Sequence, residues 1–192
     1  KQFNSISYVI RPDKPQAILN QQALPAFEIT ADDIKHMTNG NPLLTELNVL
    51  PSKPALILAR QIDSEETDPG FWIAEINQKY LWGNAMMDNL PLDTNYCVLD
   101  SSYRLLHSSR TELAGISDLL KSNTQPSTSG HFAFSINNTA FIASYTQVFL
   151  EANFKLPYWT VILLKPKSDV FAPLAEFKMS FFALIILTLM VV

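Results

Sequence analysis

The sequence predicts an α+β fold, an antiparallel sheet with helices packed on one face, ending in an apolar helix. Three observations predict it. Over residues 96–164 short apolar runs alternate with turn residues in the order strand, strand, helix, strand, strand, strand. The tetrapeptide Ser109-Arg110-Thr111-Glu112 is a capping box that opens the helix of that series. The final residues, 181–192, carry no charge.

The elements follow in chain order. Residues 1–54 carry the weakest pattern. Residues 5–10 read as a strand that Arg11-Pro12-Asp13-Lys14-Pro15 breaks. Thr30-Ala31-Asp32-Asp33 is an N-cap pattern with Ile34 and Met37 on one face and Gly40 as the stop, which predicts a short helix. Pro51 and Pro54 bracket a turn. Residues 55–62 and 71–76 are apolar strand runs joined by the acidic loop 63–70. Residues 77–87 read as a helix carrying Tyr80, Leu81 and Trp82, and 88–95 as a linker with Pro91. Strands are then predicted at 96–100 and 104–108, and a helix with Leu113, Ile116 and Leu120 on one face. A Ser/Thr/Pro loop spans 122–130. A hairpin at 131–136 and 140–149 turns through Asn137-Asn138, residues that tolerate positive φ, and 159–164 is the closing strand.

Composition limits the function. The 192 residues are 47% hydrophobic with a net charge of −4, enough for one good core or two small ones. Mild acidity with no Lys/Arg cluster argues against a nucleic-acid partner. The one cysteine, Cys97, excludes an internal disulfide and, within a strand-like run, reads as a buried structural thiol. His36, His107 and His131 lack companions at metal-ligand spacing, so no metal and no cofactor is expected. His107 adjoins Ser108 and Ser109, but no Gly-x-Ser-x-Gly elbow or orienting carboxylate supports nucleophilic catalysis. Glu65, Glu66 and Asp68 are too sparse for a calcium loop. Asn137-Asn138-Thr139 matches a glycosylation sequon by pattern alone, in a turn where Asn has its own reason to be.

The terminal run has no polar face, as a helix in lipid requires; a buried C-terminal helix is the alternative. A full span needs about 20 apolar residues. Residues 174–192 are therefore expected to be the start of a truncated transmembrane helix, with Lys178 the last charge at the interface.

Three motifs resemble the Cache module, the extracytoplasmic relative of the PAS fold. Cys97-Val98-Leu99-Asp100 followed by Arg104-Leu105-Leu106-His107-Ser108 is similar to the family's opening hairpin, although Tyr103 stands where Gly is frequent, so a longer or different turn is expected. Phe141-Ile142-Ala143-Ser144-Tyr145 follows a hairpin turn. Tyr158-Trp159-Thr160-Val161-Ile162-Leu163-Leu164-Lys165-Pro166 resembles the closing strand and its exit to the membrane. Residues 55–82 fit the last two strands and connecting helix of a distal module. The expected layout is an incomplete or divergent membrane-distal part at 1–90, a proximal Cache/PAS-like module at 93–170, and the membrane helix.

That resemblance implies the sensor region of a bacterial inner-membrane receptor: periplasmic, homodimeric, non-enzymatic itself, and binding a small molecule. The wording around Ala74-Glu75-Ile76-Asn77 and Ser144-Tyr145-Thr146 looks most like sensors ahead of cyclic-di-GMP cyclases or phosphodiesterases; a histidine kinase or chemotaxis receptor is the alternative. Trp72, Tyr80 and Trp82, with Arg60 and Asp63, are the candidate ligand contacts, an aromatic cage with charges to orient the ligand. Core packing of the tryptophans with a solvated Arg60 is the competing reading. In the proximal module Phe132, Phe134, Phe141 and Tyr145 alternate as sheet core, and only Tyr145 is a candidate contact. The other classes left open are a tethered enzyme, which lacks a constellation, and a ligand-free structural or dimerisation module.

Overall fold

Two antiparallel sheets of five strands each make up the molecule. The computed structural model describes residues 2–9, 15–19, 28–50, 53–62, 70–83, 90, 94–110, 116–123 and 127–191. The distal half contains β1 (Phe3–Val9), β2 (Pro15–Leu19), α1 (Ala31–Thr38), β3 (Leu43–Leu50), β4 (Lys53–Gln61) and β5 (Phe71–Ile76). A short helix, α2 (Gln78–Leu81), leads on to β6 (Asn95–Leu99), β7 (Leu105–Ser108), α3 (Ile116–Asn123), β8 (Ser129–Ile136), β9 (Thr139–Leu150), α4 (Glu151–Phe154), β10 (Leu156–Pro166) and α5 (Lys167–Val191).

The two halves share one topology. The distal sheet runs β2-β1-β5-β4-β3 and the proximal sheet β7-β6-β10-β9-β8. In each, the fifth strand of the unit lies at the centre between its first and fourth. This is a PAS-like α+β fold carried twice. The distal sheet is a full five-stranded counterpart of the proximal one, built in part from segments that the sequence left unread: β2 and β3.

Local chemistry explains several elements. Thr30 caps α1: its hydroxyl accepts from the Asp33 amide at 3.2 Å, and the Asp33 carboxylate accepts from the Thr30 amide at 2.9 Å. Gly40 follows at φ 83, as the stop requires. Asn137 and Asn138, at φ 48 and 63, make the predicted hairpin turn. The turn after β6 departs from expectation. Tyr103 takes φ 62, the conformation glycine adopts freely, so a tyrosine holds a glycine-type backbone at a cost of about 1 kcal/mol. The Asp100 carboxylate offsets that cost by accepting from the Ser102 and Arg104 amides, both at 2.8 Å. The helix expected at 77–87 is a single turn, Gln78–Leu81, among the described residues. Pro54 lies inside β4 rather than in the turn, where the register with β3 shifts and no ladder donor is lost.

Each sheet has a helix-covered outer face. In the distal half Ile57, Ala59, Phe71 and Ile73 pack with Leu43 and Met37 of α1. In the proximal half Cys97, Leu99, Ala143, Ile162 and Leu164 pack with Ile116 of α3. The inner faces meet each other: Leu44 and Leu56 pack with Tyr96, Val98, Leu106 and Trp159. The proximal core tolerates no added bulk beside β8. A Cβ on Gly130 would lie 2.7 Å from the Tyr145 hydroxyl and under 3 Å from its ring. Because that ring is buried, Gly130→Ala is expected to destabilise the protein by about 1–3 kcal/mol in urea unfolding. Unchanged stability would mean the ring moves aside at no cost.

Candidate functional site

The candidate ligand residues do not form one pocket. Arg60 and Trp72 are direct cross-strand partners on β4 and β5, both exposed, with Trp72 at 43%. Strand alternation places them on the face opposite α1. Tyr80, on α2, is exposed, and its hydroxyl accepts from the Gln2 amide at 3.0 Å. It lies beyond Ile76, four strand positions from Trp72, a separation of about 13 Å at roughly 3.3 Å per residue. Asp63 falls outside the described residues.

Trp82 and Tyr145 are core residues. Trp82 is 5% exposed and sits between the sheets, 5.2 Å from the Trp159 ring and 5.8 Å from the His107 ring. The Tyr96 hydroxyl donates to its carbonyl. Trp82 therefore belongs to the junction rather than to the distal sheet surface. Tyr145 is 7% exposed and lies against Phe132.

The structure draws attention instead to Glu46, which the sequence reading passed over. From β3 it reaches the other sheet, where its carboxylate accepts from the Trp159 indole N–H at 2.7 Å. Arg104 approaches the same carboxylate at 3.4 Å while its Nε holds Asp100 at 2.5 Å. Only 7% of the Glu46 side chain is exposed. Burial pushes its carboxyl above the ordinary range, and the neighbouring Asp100 carboxylate pushes it further; the Trp159 bond and Arg104 act the other way. A second crossing joins Lys155 to Asp33 at 2.7 Å. There burial is outweighed by the bonds from Lys155 and Thr30, and Asp33 is held below its ordinary value.

Among the described residues, no group of three His, Cys, Asp or Glu side chains could hold a metal ion. Burial pushes the Cys97 thiol up to about 12 against an opposing bond from Ser108, so it stays protonated at neutral pH. The C-terminal helix α5 has 25 residues and begins well before residue 181. Its stretch Lys167–Met190 is long and apolar enough to cross a membrane, with a mean hydropathy of 1.8 and none of it buried against the sheets.

The junction makes stability depend on pH in a defined direction. The folded Glu46 carboxyl titrates above its ordinary 4.5, so its contribution is fully present below that value. It is lost as pH rises through the folded value. Glu46→Gln is expected to flatten the fall in melting temperature on raising the pH from about 4.5. A Glu46→Gln curve parallel to wild type would remove Glu46 as the source. Trp159→Phe strips a buried carboxylate of its donor and should cost about 1–3 kcal/mol in denaturant unfolding.

No family model matches the chain, and no curated protein matches it. Solved structures do. The ligand-binding domain of the Pseudomonas fluorescens chemoreceptor CtaA, in complex with L-isoleucine, matches at TM-score 0.59 and 10% identity, over 88% of this chain and 71% of that one. That of the Pseudomonas aeruginosa amino acid chemoreceptor PctB, in complex with L-Arg, matches at 0.58 and 15%, over 88% and 74%. The Campylobacter jejuni chemoreceptor Tlp3 domain, in complex with 4-methylisoleucine, matches at 0.53 and 12%, over 88% and 67%. Extracellular domains of histidine kinases are among the further matches. The chain thus spans about two thirds to three quarters of the length of these neighbours. Two sheets in the order 2-1-5-4-3, each with a helix on its outer face and joined through their inner faces, are the fold this chain shares with those solved domains.

Proposed function

We propose that this chain is the extracytoplasmic ligand-sensing region of a membrane-bound signal-transduction receptor. The observation that carries the reading is the exit of β10. This strand is central in the proximal sheet and passes from Pro166 to Lys167 straight into α5. A shift of the sheet therefore reaches the membrane helix without a flexible linker. The receptor sits in the inner membrane with this region in the periplasm, acts as a homodimer, and has no catalytic step here.

The ligand is a small molecule bound by the distal half, an amino compound or carboxylate. Arg60 supplies the orienting charge and Trp72 the apolar face, with Asp63 beyond the end of β4. The amino acids held by the solved neighbours support that class. Ligand binding biases two arrangements of the junction in proportion to its difference in affinity for them. Glu46–Trp159 carries that bias onto β10.

The output domain is a cyclic-di-GMP cyclase or phosphodiesterase, on the wording of residues 74–82 and 144–150. A second reading, a chemotaxis receptor or histidine kinase, is favoured by the kinds of receptor among the solved neighbours.

A thermal-shift screen against amino acids, carboxylates, amines and nucleobases tests the sensor. A ligand at 100 times its Kd should add about 2.7 kcal/mol of stability. Trp72→Ala or Arg60→Ala should abolish the gain. A hit that survives both substitutions moves the site elsewhere, and an empty screen favours a structural or dimerisation module.

A further inference from the structure

Two carboxyls meet where the halves join. Glu46 comes from β3, the edge strand of the distal sheet, and Asp100 from the turn after β6 in the proximal half. They lie within hydrogen-bonding reach of each other, with 7% and 2% of their side chains exposed. Among the described residues one cation serves both: the Arg104 guanidinium, 2.5 Å from Asp100 and 3.4 Å from Glu46. With both carboxyls ionised the cluster holds an uncompensated negative charge out of water, which is costly. With one proton shared by the pair it is neutral.

Hydrogen bonding decides which carboxyl takes the proton. Asp100 accepts from the Ser102 and Arg104 amides, both at 2.8 Å, and from Arg104 Nε. Glu46 accepts from one neutral donor, the Trp159 indole N–H at 2.7 Å, and has only the longer Arg104 contact besides. Glu46 therefore takes the proton, and its hydroxyl donates to Asp100 across the junction. The other titratable and charged groups near the junction are engaged elsewhere. Lys155 is paired with Asp33 at 2.7 Å, and Glu151 of α4 is exposed. His36 faces the backbone carbonyls of Pro42 and Asn153. His107 lies in the ring cluster, 5.8 Å from Trp82 and 5.3 Å from Tyr96, whose hydroxyl donates to the Trp82 carbonyl. Arg60 is four strand positions beyond Leu56, the partner of Glu46, about 13 Å away at roughly 3.3 Å per residue.

We propose that the Glu46–Asp100 pair is a proton-operated latch between the two halves, which makes external acidity an input to this protein separate from its ligand. In acid Glu46 is neutral, bonded to Trp159 and Asp100, and the latch is shut. As the pH rises Glu46 loses its proton, and two buried carboxylates face each other across the junction. Their repulsion, and the drive to hydrate the new charge, part β3 from β10 at this corner. The sign follows from the environment: burial and Asp100 raise the folded carboxyl, so the shut state is favoured in acid and is lost as pH rises through the folded value. Trp159 stands on β10, the strand that continues into α5, so opening acts on the exit. Passage of that change through the membrane rests on the sensor reading. The latch itself needs no ligand and stands or falls alone.

The full chain in detergent micelles, with no ligand added, tests the latch. Readouts are the indole N–H resonances of the three tryptophans and backbone amide exchange corrected for intrinsic rates, from pH 4.5 upward. The Trp159 resonance is expected to move through one transition, while that of the exposed Trp72 stays in place. Over the same range the protection of β3 and of residues 156–161 should fall, about tenfold for each unit that separates the shut and open Glu46 values. Glu46→Gln mimics the protonated carboxyl, accepting from Trp159 and donating to Asp100, so it keeps the fold. It should hold both readouts at their acid values. Asp100→Asn removes the like charge and should move the transition to lower pH. The proposal is overturned if Trp159 shows no transition or if Asp100→Asn leaves the transition unmoved. It is overturned equally if the transition persists in Glu46→Gln, which would assign it to His107, or if protection is the same on both sides of it.

Discussion

The central position of β10 is the constraint on which the proximal half depends. A strand hydrogen-bonded on both sides presents side chains to both faces of its sheet, and both must be covered. Ile162 and Leu164 are fully buried in the α3-side core, while Trp159 is 9% exposed and enters the junction. One strand therefore closes the proximal core, anchors it to the distal sheet and supplies the exit. The Glu46 contact matters because it fixes that same strand from outside its own sheet. Taking a carboxylate out of water there is costly, and the indole N–H and guanidinium recover only part of that cost, and only while the two sheets stay together.

The repeated topology gives the same role to equivalent helices. After β5 the chain enters α2, which leads to the second sheet; after β10 it enters α5. In both units the central strand delivers the chain to the next layer. The next strand in sequence after the distal centre and α2 is β6, which pairs with β10.

The elements that were legible are those whose signals are local. The capping at Thr30, the Asn137-Asn138 turn and the alternation of 131–149 are each contained within a few residues. Tyr103 shows a limit of that approach: a positive φ cannot be read from a residue that ordinarily avoids it, and only the surrounding Asp100 bonds make it tenable. The site was less legible. Glu46 lies in a segment the sequence leaves unread, and it is buried beside a partner 113 residues away. Trp82 reads as a ligand aromatic and is buried by rings from the other sheet. Separation in sequence, rather than weak chemistry, hid these residues.

From Phe181 onward, helix α5 is apolar on every side. Phe181, Phe182, Leu184, Ile185, Ile186, Leu187, Leu189 and Met190 follow almost without interruption, and at 100° per residue they cover the whole circumference. In a bilayer such a helix has no preferred azimuth, since every rotational setting shows lipid the same surface. Lipid then offers no restoring torque against a twist applied at Lys167. For a helix so placed, the angle would be set from above, by the twist of β10, and from the side by whatever protein packs against it.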